Sequence, residues 1–157
     1  MTVPRIPSLR IGDIEAKIPV VQGGMGVGVS LSNLAAAVAR AGGIGVIATP
    51  GIGQFEPDWC SDPIEANRRA LRKEILLAKS QTSGLIGVNV MVALSDFDGL
   101  IQCSVDAGAN VVLLGAGLPT SLDGVLRRAL ARLGLEDVLE ARHGFGYRLT
   151  IDAELDT

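Results

Sequence analysis

Ile18-Pro19-Val20-Val21-Gln22-Gly23-Gly24-Met25-Gly26, followed by residues 34–48 (LAAAVARAGGIGVIA), carries the strongest architectural signal in the chain. Residues 18–22 form a short apolar run that stops at glycines, the pattern of a strand buried on both faces. Leu34, Ala35, Val38 and Ala39 recur at helical spacing, Ser30 or Ser32 can cap them, and Gly42-Gly43 ends the segment. Residues 44–48 (IGVIA) are then a second strand. Strand, helix and strand in that order make a parallel β–α–β unit with a right-handed crossover.

The same alternation continues to about residue 118. Residues 49–61 contain Pro50, Gly51, Gly53 and Pro57 and are a loop. Asp62 caps, and Pro63 opens, a helix to about residue 81, with Leu71, Ile75, Leu76 and Ala78 as its expected buried stripe. Residues 85–90 (LIGVNV) are a third strand, and Ser95 or Asp96 starts a third helix that stops at Gly108. Residues 111–114 (VVLL) are the fourth strand, followed at once by Gly115-Ala116-Gly117-Leu118-Pro119. The expectation is α/β, with four parallel strands and three helices. An open doubly wound sheet and a partial (β/α)8 barrel both accommodate that count.

From residue 122 the texture changes. Residues 123–133 (DGVLRRALARL) form an amphipathic pattern, and residues 137–142 and 147–151 flank His143-Gly144-Phe145-Gly146 as a β-hairpin. The expected domains are therefore 1–122, the barrel portion, and 123–157, a helix plus hairpin.

Composition narrows the function. Of 157 residues, 48% are hydrophobic and 20% charged, a globular balance, and only 5 are aromatic while 20 are glycine. A net charge of −3 removes any whole-chain electrostatic argument for nucleic acid or an anionic membrane. Cys60 and Cys103 form no CxxC, and His143 is the one histidine, which excludes a disulfide scaffold and a Cys/His zinc site. No metal site is expected. Residues 1–12 carry Pro4, Arg5, Pro7 and Arg10 with no apolar segment behind them, and the uncharged runs, such as 41–55, are broken by Gly and Pro, unlike the roughly 20 apolar residues of a membrane span. The expected setting is soluble, reduced and cytoplasmic.

Candidate chemistry gathers where strands end. Gly23, Gly24, Met25 and Gly26 follow the first strand, and glycine there lets backbone come within contact distance of a flat or anionic ligand. GxGxxG is not satisfied and no GxxxxGK exists, so neither a dinucleotide fingerprint nor a P-loop is present; tight turns alone would account for these glycines equally well. Asn89, near the end of an apolar strand, needs a partner for its amide, either a ligand edge or a neighbouring loop. Gly115-Ala116-Gly117 closes the fourth strand. Met25 could flank a ring or pack inside. Asp96, Asp98 and Asp106 are assigned to a solvated helix face. Cys60 and Cys103 have no histidine nearby to activate them. Residues 1–122 contain no histidine at all. Any hard chemistry must come from a cofactor.

Residues 18–26, 34–48, Gly87-Val88-Asn89-Val90-Met91 and residues 111–119 (VVLLGAGLP) together resemble the nitronate monooxygenase family, formerly called 2-nitropropane dioxygenases. That family is related to FMN-dependent enoyl-acyl-carrier-protein reductases. The resemblance covers about residues 5–122, with four motifs in the same order and spacing. It implies an FMN-binding (β/α)8 barrel, a bacterial-type flavoprotein oxidoreductase, that oxidises alkyl nitronates with O2. It further implies Gly23, Gly24 and Met25 against the isoalloxazine ring, Asn89 meeting the flavin, and Gly115 and Ala116 lining the same cavity. A whole barrel takes about 250 residues. The family's catalytic histidine, flavin-contacting lysine and phosphate loops have no counterpart here, so no catalytic residue is carried over.

Residues 125–152 resemble the end of winged-helix domains of bacterial transcriptional regulators, with Arg127, Arg128 and Arg132 on a helix and Gly146-Tyr147-Arg148 in a wing. The 5 basic and 7 acidic residues of 123–157 argue against DNA binding. Three functions are thus on the table: a nitronate-monooxygenase-type flavoenzyme, in truncated or fused form with reduced or no activity; an inactive structural or interaction fragment; and a DNA-binding regulator acting through the tail. Open sheet edges and uncovered apolar faces predict self-association as a homo-oligomer.

Overall fold

The computed structural model describes residues 6–117 and two short strands beyond them. The chain divides into two compact units, Met1–Leu118 and Pro119–Thr157. In the first, β1 (Leu9–Ile11) and β2 (Ile14–Ala16) form an antiparallel hairpin. Gly12 turns it with φ +59°, a conformation that glycine adopts without strain. Sequence patterning did not show this hairpin, because each strand is only three residues long. The rest alternates: α1 (Ser32–Arg40), β3 (Ile44–Ala48), α2 (Pro63–Gln81), β4 (Leu85–Met91), α3 (Phe97–Asp106) and β5 (Val111–Gly115).

β3, β4 and β5 make a parallel sheet in sequence order, with Ile44 opposite Leu85, Ala48 opposite Asn89, and Met91 opposite Gly115. The expected first strand at residues 18–22 lies beside β3 but shrinks to one parallel bridge, Val21 to Ile44. Ile44 N–H donates to the Val20 carbonyl at 2.9 Å, and Gln22 N–H donates to the Ile44 carbonyl at 3.0 Å. The next rung is made by the Gln22 side chain. Its Oε1 accepts from Val46 N–H at 3.2 Å and its Nε2 donates to the Val46 carbonyl at 3.0 Å. A carboxamide therefore occupies the ladder positions a longer strand would use. The backbone is free to leave the sheet at Gly23.

Neighbours that follow sequence order, with α1 packed on α2 and α2 on α3, define a singly wound α/β layer. A doubly wound sheet would reverse its order at a switch point, so the partial barrel is the architecture present. One sheet face carries the helices. There Ile47, Ile86, Val88 and Val90 are fully buried, and a Cβ at Gly45 would lie 1.8 Å from the Ala35 carbonyl oxygen of α1. The other face carries Ile44, Val46, Ala48, Leu85, Gly87, Asn89, Met91, Val111, Leu113 and Gly115, which share register across the three strands. Ala16 and Leu9 pack against Ile44, Val46, Leu85, Val111 and Leu113, covering the N-terminal part of this inner face.

Helix ends follow local chemistry, with two corrections. Asp62 Oδ1 accepts from Glu65 N–H at 3.1 Å and caps α2 as expected. Neither Ser30 nor Ser32 caps α1 with its side chain. Leu31 is the cap residue, and the Ser32 N–H donates to the Glu74 carboxylate of α2 at 2.8 Å, a cap supplied by another helix. Gly42 and Gly108, at φ +99° and +81°, close α1 and α3 in the same way. Gly42 and Gly43 N–H bond back to Ala39 and Val38, as Gly108 and Ala109 do to Val105 and Ser104. The buried face of α2 is Ala66, Ala70, Leu71, Ile75 and Ala78; Leu76, expected in it, is exposed. Adjacent helical residues differ by about 100° around the axis, so Ile75 and Leu76 cannot share a narrow stripe.

In the second unit, β6 (Leu139–Arg142) pairs antiparallel with β7 (Gly146–Leu149), with Arg142 opposite Gly146. The helix expected over 123–133 lies outside the described residues.

Gly45→Ala is expected to destabilise the chain by about 1–3 kcal/mol or more, because α1 backbone occupies the space of the new methyl. Urea unfolding with an unchanged m-value would measure it, whereas an unaltered midpoint would contradict that packing.

Candidate functional site

The bends expected to carry chemistry gather at the C-terminal end of the parallel strands. A Cβ built on Gly24 would lie 2.7 Å from Asn89 Cβ and 3.1 Å from Asn89 Oδ1, so the loop backbone rests directly on the Asn89 side chain. A Cβ on Gly115 would come within 3.8 Å of Asn89 Nδ2. Gly24, Asn89 and Gly115 therefore form one contiguous group. At Gly23 an added Cβ would meet nothing within 4 Å, so the loop presents bare backbone to open space. Met25 is 50% exposed beside it. Ala116 follows Gly115 in the left-handed region at φ +57°, and Gly117 follows at φ +150°.

Asn89 is half-buried between fully buried Val88 and Val90. Its carbonyl accepts from Thr49 N–H at 3.0 Å, which holds the start of the 49–61 loop. Its carboxamide makes no hydrogen bond among the described residues. The half-buried amide thus offers a free donor and a free acceptor at the strand ends.

Two residues not expected to shape the site organise the loop. Ser30 is 1% exposed. Its hydroxyl accepts from Met25 N–H at 3.0 Å and from Gln22 Nε2 at 3.1 Å, and faces the Gly23 carbonyl at 3.4 Å. Ser30 had been assigned to a helix cap; its bonds run backward along the chain instead. The available signal was a serine followed by a second serine two residues later, and spacing alone could not tell which would cap. Val27, beyond the loop, donates its N–H to the Pro50 carbonyl at 2.8 Å and sits at φ +54°, a strained conformation for a β-branched residue.

Asp96, expected on a solvated face, is instead paired with Arg68 of α2. Arg68 Nε donates to Asp96 Oδ2 at 2.7 Å and Nη2 donates to Oδ1, a bidentate bond that raises the guanidinium's affinity for its proton. It ties α3 to α2 and lies apart from the glycine loops. Arg69 similarly bonds Glu56 and Asp58. Cys103 is buried, and that burial pushes its thiol pKa up. Cys60 is exposed. A depression of about 580 Å³ lies at the opposite end of the strands among Glu15, Lys17, Arg40, Gln81 and Ser83, away from every candidate residue. Among the described residues no helix is long and apolar enough to cross a membrane.

A singly wound parallel sheet with helices along one face defines a partial-barrel α/β class of protein. The model of the nitronate monooxygenase family matches residues 8–123, 116 of the 157 residues, and the chain belongs to that family. Among solved structures it is similar to FabK from Thermotoga maritima, at 28% identity over 71% of this chain and 37% of that one, with a TM-score of 0.47. A single-substitution mutant of the same FabK matches at 32% identity over 64% of this chain and 29% of that one, also with a TM-score of 0.47. The chain thus spans about a third of the length of these structures. No curated protein matches it. The winged-helix resemblance of the tail finds no support in these comparisons, and the family match ends at residue 123.

Iodoacetamide is expected to label Cys60 in the folded chain and to reach Cys103 only after denaturation. Mass spectrometry of the two peptides reads this directly, and rapid native labelling of Cys103 would contradict its burial.

Proposed function

We propose that this chain supplies the ring-binding portion of an FMN-dependent oxidoreductase of the nitronate monooxygenase type, acting on alkyl nitronates with O2. One observation carries the reading: the Gly24 backbone, the Asn89 carboxamide and Gly115 meet at the strand C-termini in a chain of this family. The residues fit a flat heteroaromatic ring. Gly23 and Gly24 lack the side chains that would hold a ring away, and Asn89 offers both a donor and an acceptor to a ring edge. On the inner face beside them, Val111, Leu113 and Gly115 of β5 are only partly buried.

Residues 1–122 form the barrel portion in this proposal, with residues 123–157 as a separate helix-plus-hairpin module. Gly23, Gly24, Met25, Asn89, Gly115 and Ala116 hold the flavin. FMN would supply the redox chemistry. The chain's own part would be to bind and orient the ring: the Asn89 amide would hydrogen-bond it, the glycine backbone would admit it closely, and Met25 would shield it from water. No proton-transfer residue is assigned. The cytoplasm is the setting proposed, with no membrane partner.

Among the described residues β5 is an edge strand of the parallel sheet, which supports a second proposal, self-association at that edge. Val111 and Leu113 lie on its inner face, partly buried, and apolar strand faces with an open edge favour pairing with another copy. Light scattering is expected to show a dimer or larger species, and a compact monomer at all concentrations would refute this.

FMN titrated with the purified chain is expected to lose fluorescence on binding. Asn89→Ala should weaken that affinity by about 3- to 10-fold, the worth of one or two net hydrogen bonds. Absence of quenching by the unmodified chain would overturn the flavin proposal.

A further inference from the structure

Gln22 and Ser30 form a saturated side-chain cluster beneath the glycine loop. The Gln22 carboxamide has one acceptor oxygen and two N–H donors. The oxygen takes Val46 N–H, and Nε2 bonds both the Val46 carbonyl and Ser30 Oγ. The Ser30 hydroxyl has two acceptor positions and one donor. Gln22 Nε2 and Met25 N–H use the acceptors, and the Gly23 carbonyl lies within reach of the donor. Ser30 is itself anchored at both sides, since its N–H donates to the Met25 carbonyl at 2.9 Å and its carbonyl accepts from Ala48 N–H at 3.0 Å.

This arrangement does two things at once. It ends the pairing of the 18–22 segment with β3 at a defined rung, because that segment's backbone cannot bond Val46 while the carboxamide holds both of its backbone groups. It also commits Met25 N–H inward, while the N–H groups of Gly23 and Gly24 donate to no described residue. The loop is thereby held with two unused donors, at Gly23 and Gly24, and one bonded to the buried Ser30 hydroxyl.

We infer that Gln22 and Ser30 are positioning residues that set the height and orientation of the Gly23–Met25 backbone for ring binding. The inference rests on the flavin proposal above. It assigns the preorganisation of that site to a side-chain rung rather than to the glycines. Without the rung the glycines would be a flexible tether, since glycine has the largest backbone freedom to lose.

Ser30→Ala and Gln22→Leu test it in the full chain with two readouts. In the unliganded protein, amide hydrogen exchange at Met25 is expected to accelerate by about tenfold in Ser30→Ala, with Val46 accelerating also in Gln22→Leu. In FMN titrations both variants should bind about tenfold more weakly and alter the visible circular dichroism of the bound flavin, while the thermal midpoint of Ser30→Ala stays close to that of the parent. Unchanged Met25 exchange together with unchanged FMN affinity and spectrum would overturn the inference. If the parent chain binds no FMN, the flavin proposal fails, and the positioning role is decided by exchange: equal Met25 rates in parent and Ser30→Ala reject it.

Discussion

The structure turns on where the first parallel segment stops. Parallel ladders propagate as long as backbone donors and acceptors find partners, and an unpaired group inside a sheet is costly. Gln22 solves this at Val46 by offering a side-chain amide with the donor and acceptor of a peptide group. The chain can then depart from the sheet without leaving Val46 unsatisfied. Everything at the strand C-termini follows from that departure: the glycine loop crosses onto Asn89, and residues 26 and 27 lean on Pro50.

Close approach between backbone and neighbour recurs on both sides of the sheet. On the helix face, Gly45 admits the Ala35 carbonyl, and on the loop side Gly24 admits the Asn89 side chain. Neither contact would survive a methyl group. The high glycine content is therefore spent on specific distances. These allow an aromatic-poor core of Ile, Val, Leu and Ala to pack at ordinary density. Helix-to-helix ties supply the lateral coherence. Glu74 caps α1 from α2, and Arg68 of α2 grips Asp96 at the start of α3, so each helix is fastened to its neighbour as well as to its strand.

Much of this was legible before any coordinates. Alternating apolar runs and helical patterns located α1, α2, α3, β3, β4 and β5, and Gly42 and Gly108 marked helix ends because only a left-handed residue closes such a turn readily. The expected hairpin near residues 137–151 is present as β6 and β7. What escaped was non-local. Ser30 looked like a cap, yet its hydroxyl serves residues 22 to 25. Asp96 looked solvated, yet an arginine 28 residues away binds it. Leu76 looked buried because it is apolar, although its neighbour Ile75 already faces inward. The β1–β2 hairpin was too short to leave a periodic signal.

The order of residue types along the chain by itself determined the element types, their parallel connection and the family, since hydrophobic period and glycine punctuation are local properties. Tertiary structure alone decided that the sheet winds singly, that one expected strand becomes a single bridge completed by a side chain, and that the Asn89 carboxamide has no hydrogen-bond partner among the described residues beside Gly24. Those outcomes depend on which distant groups fall within hydrogen-bond reach of one another, a matter of three-dimensional distance that linear spacing does not encode.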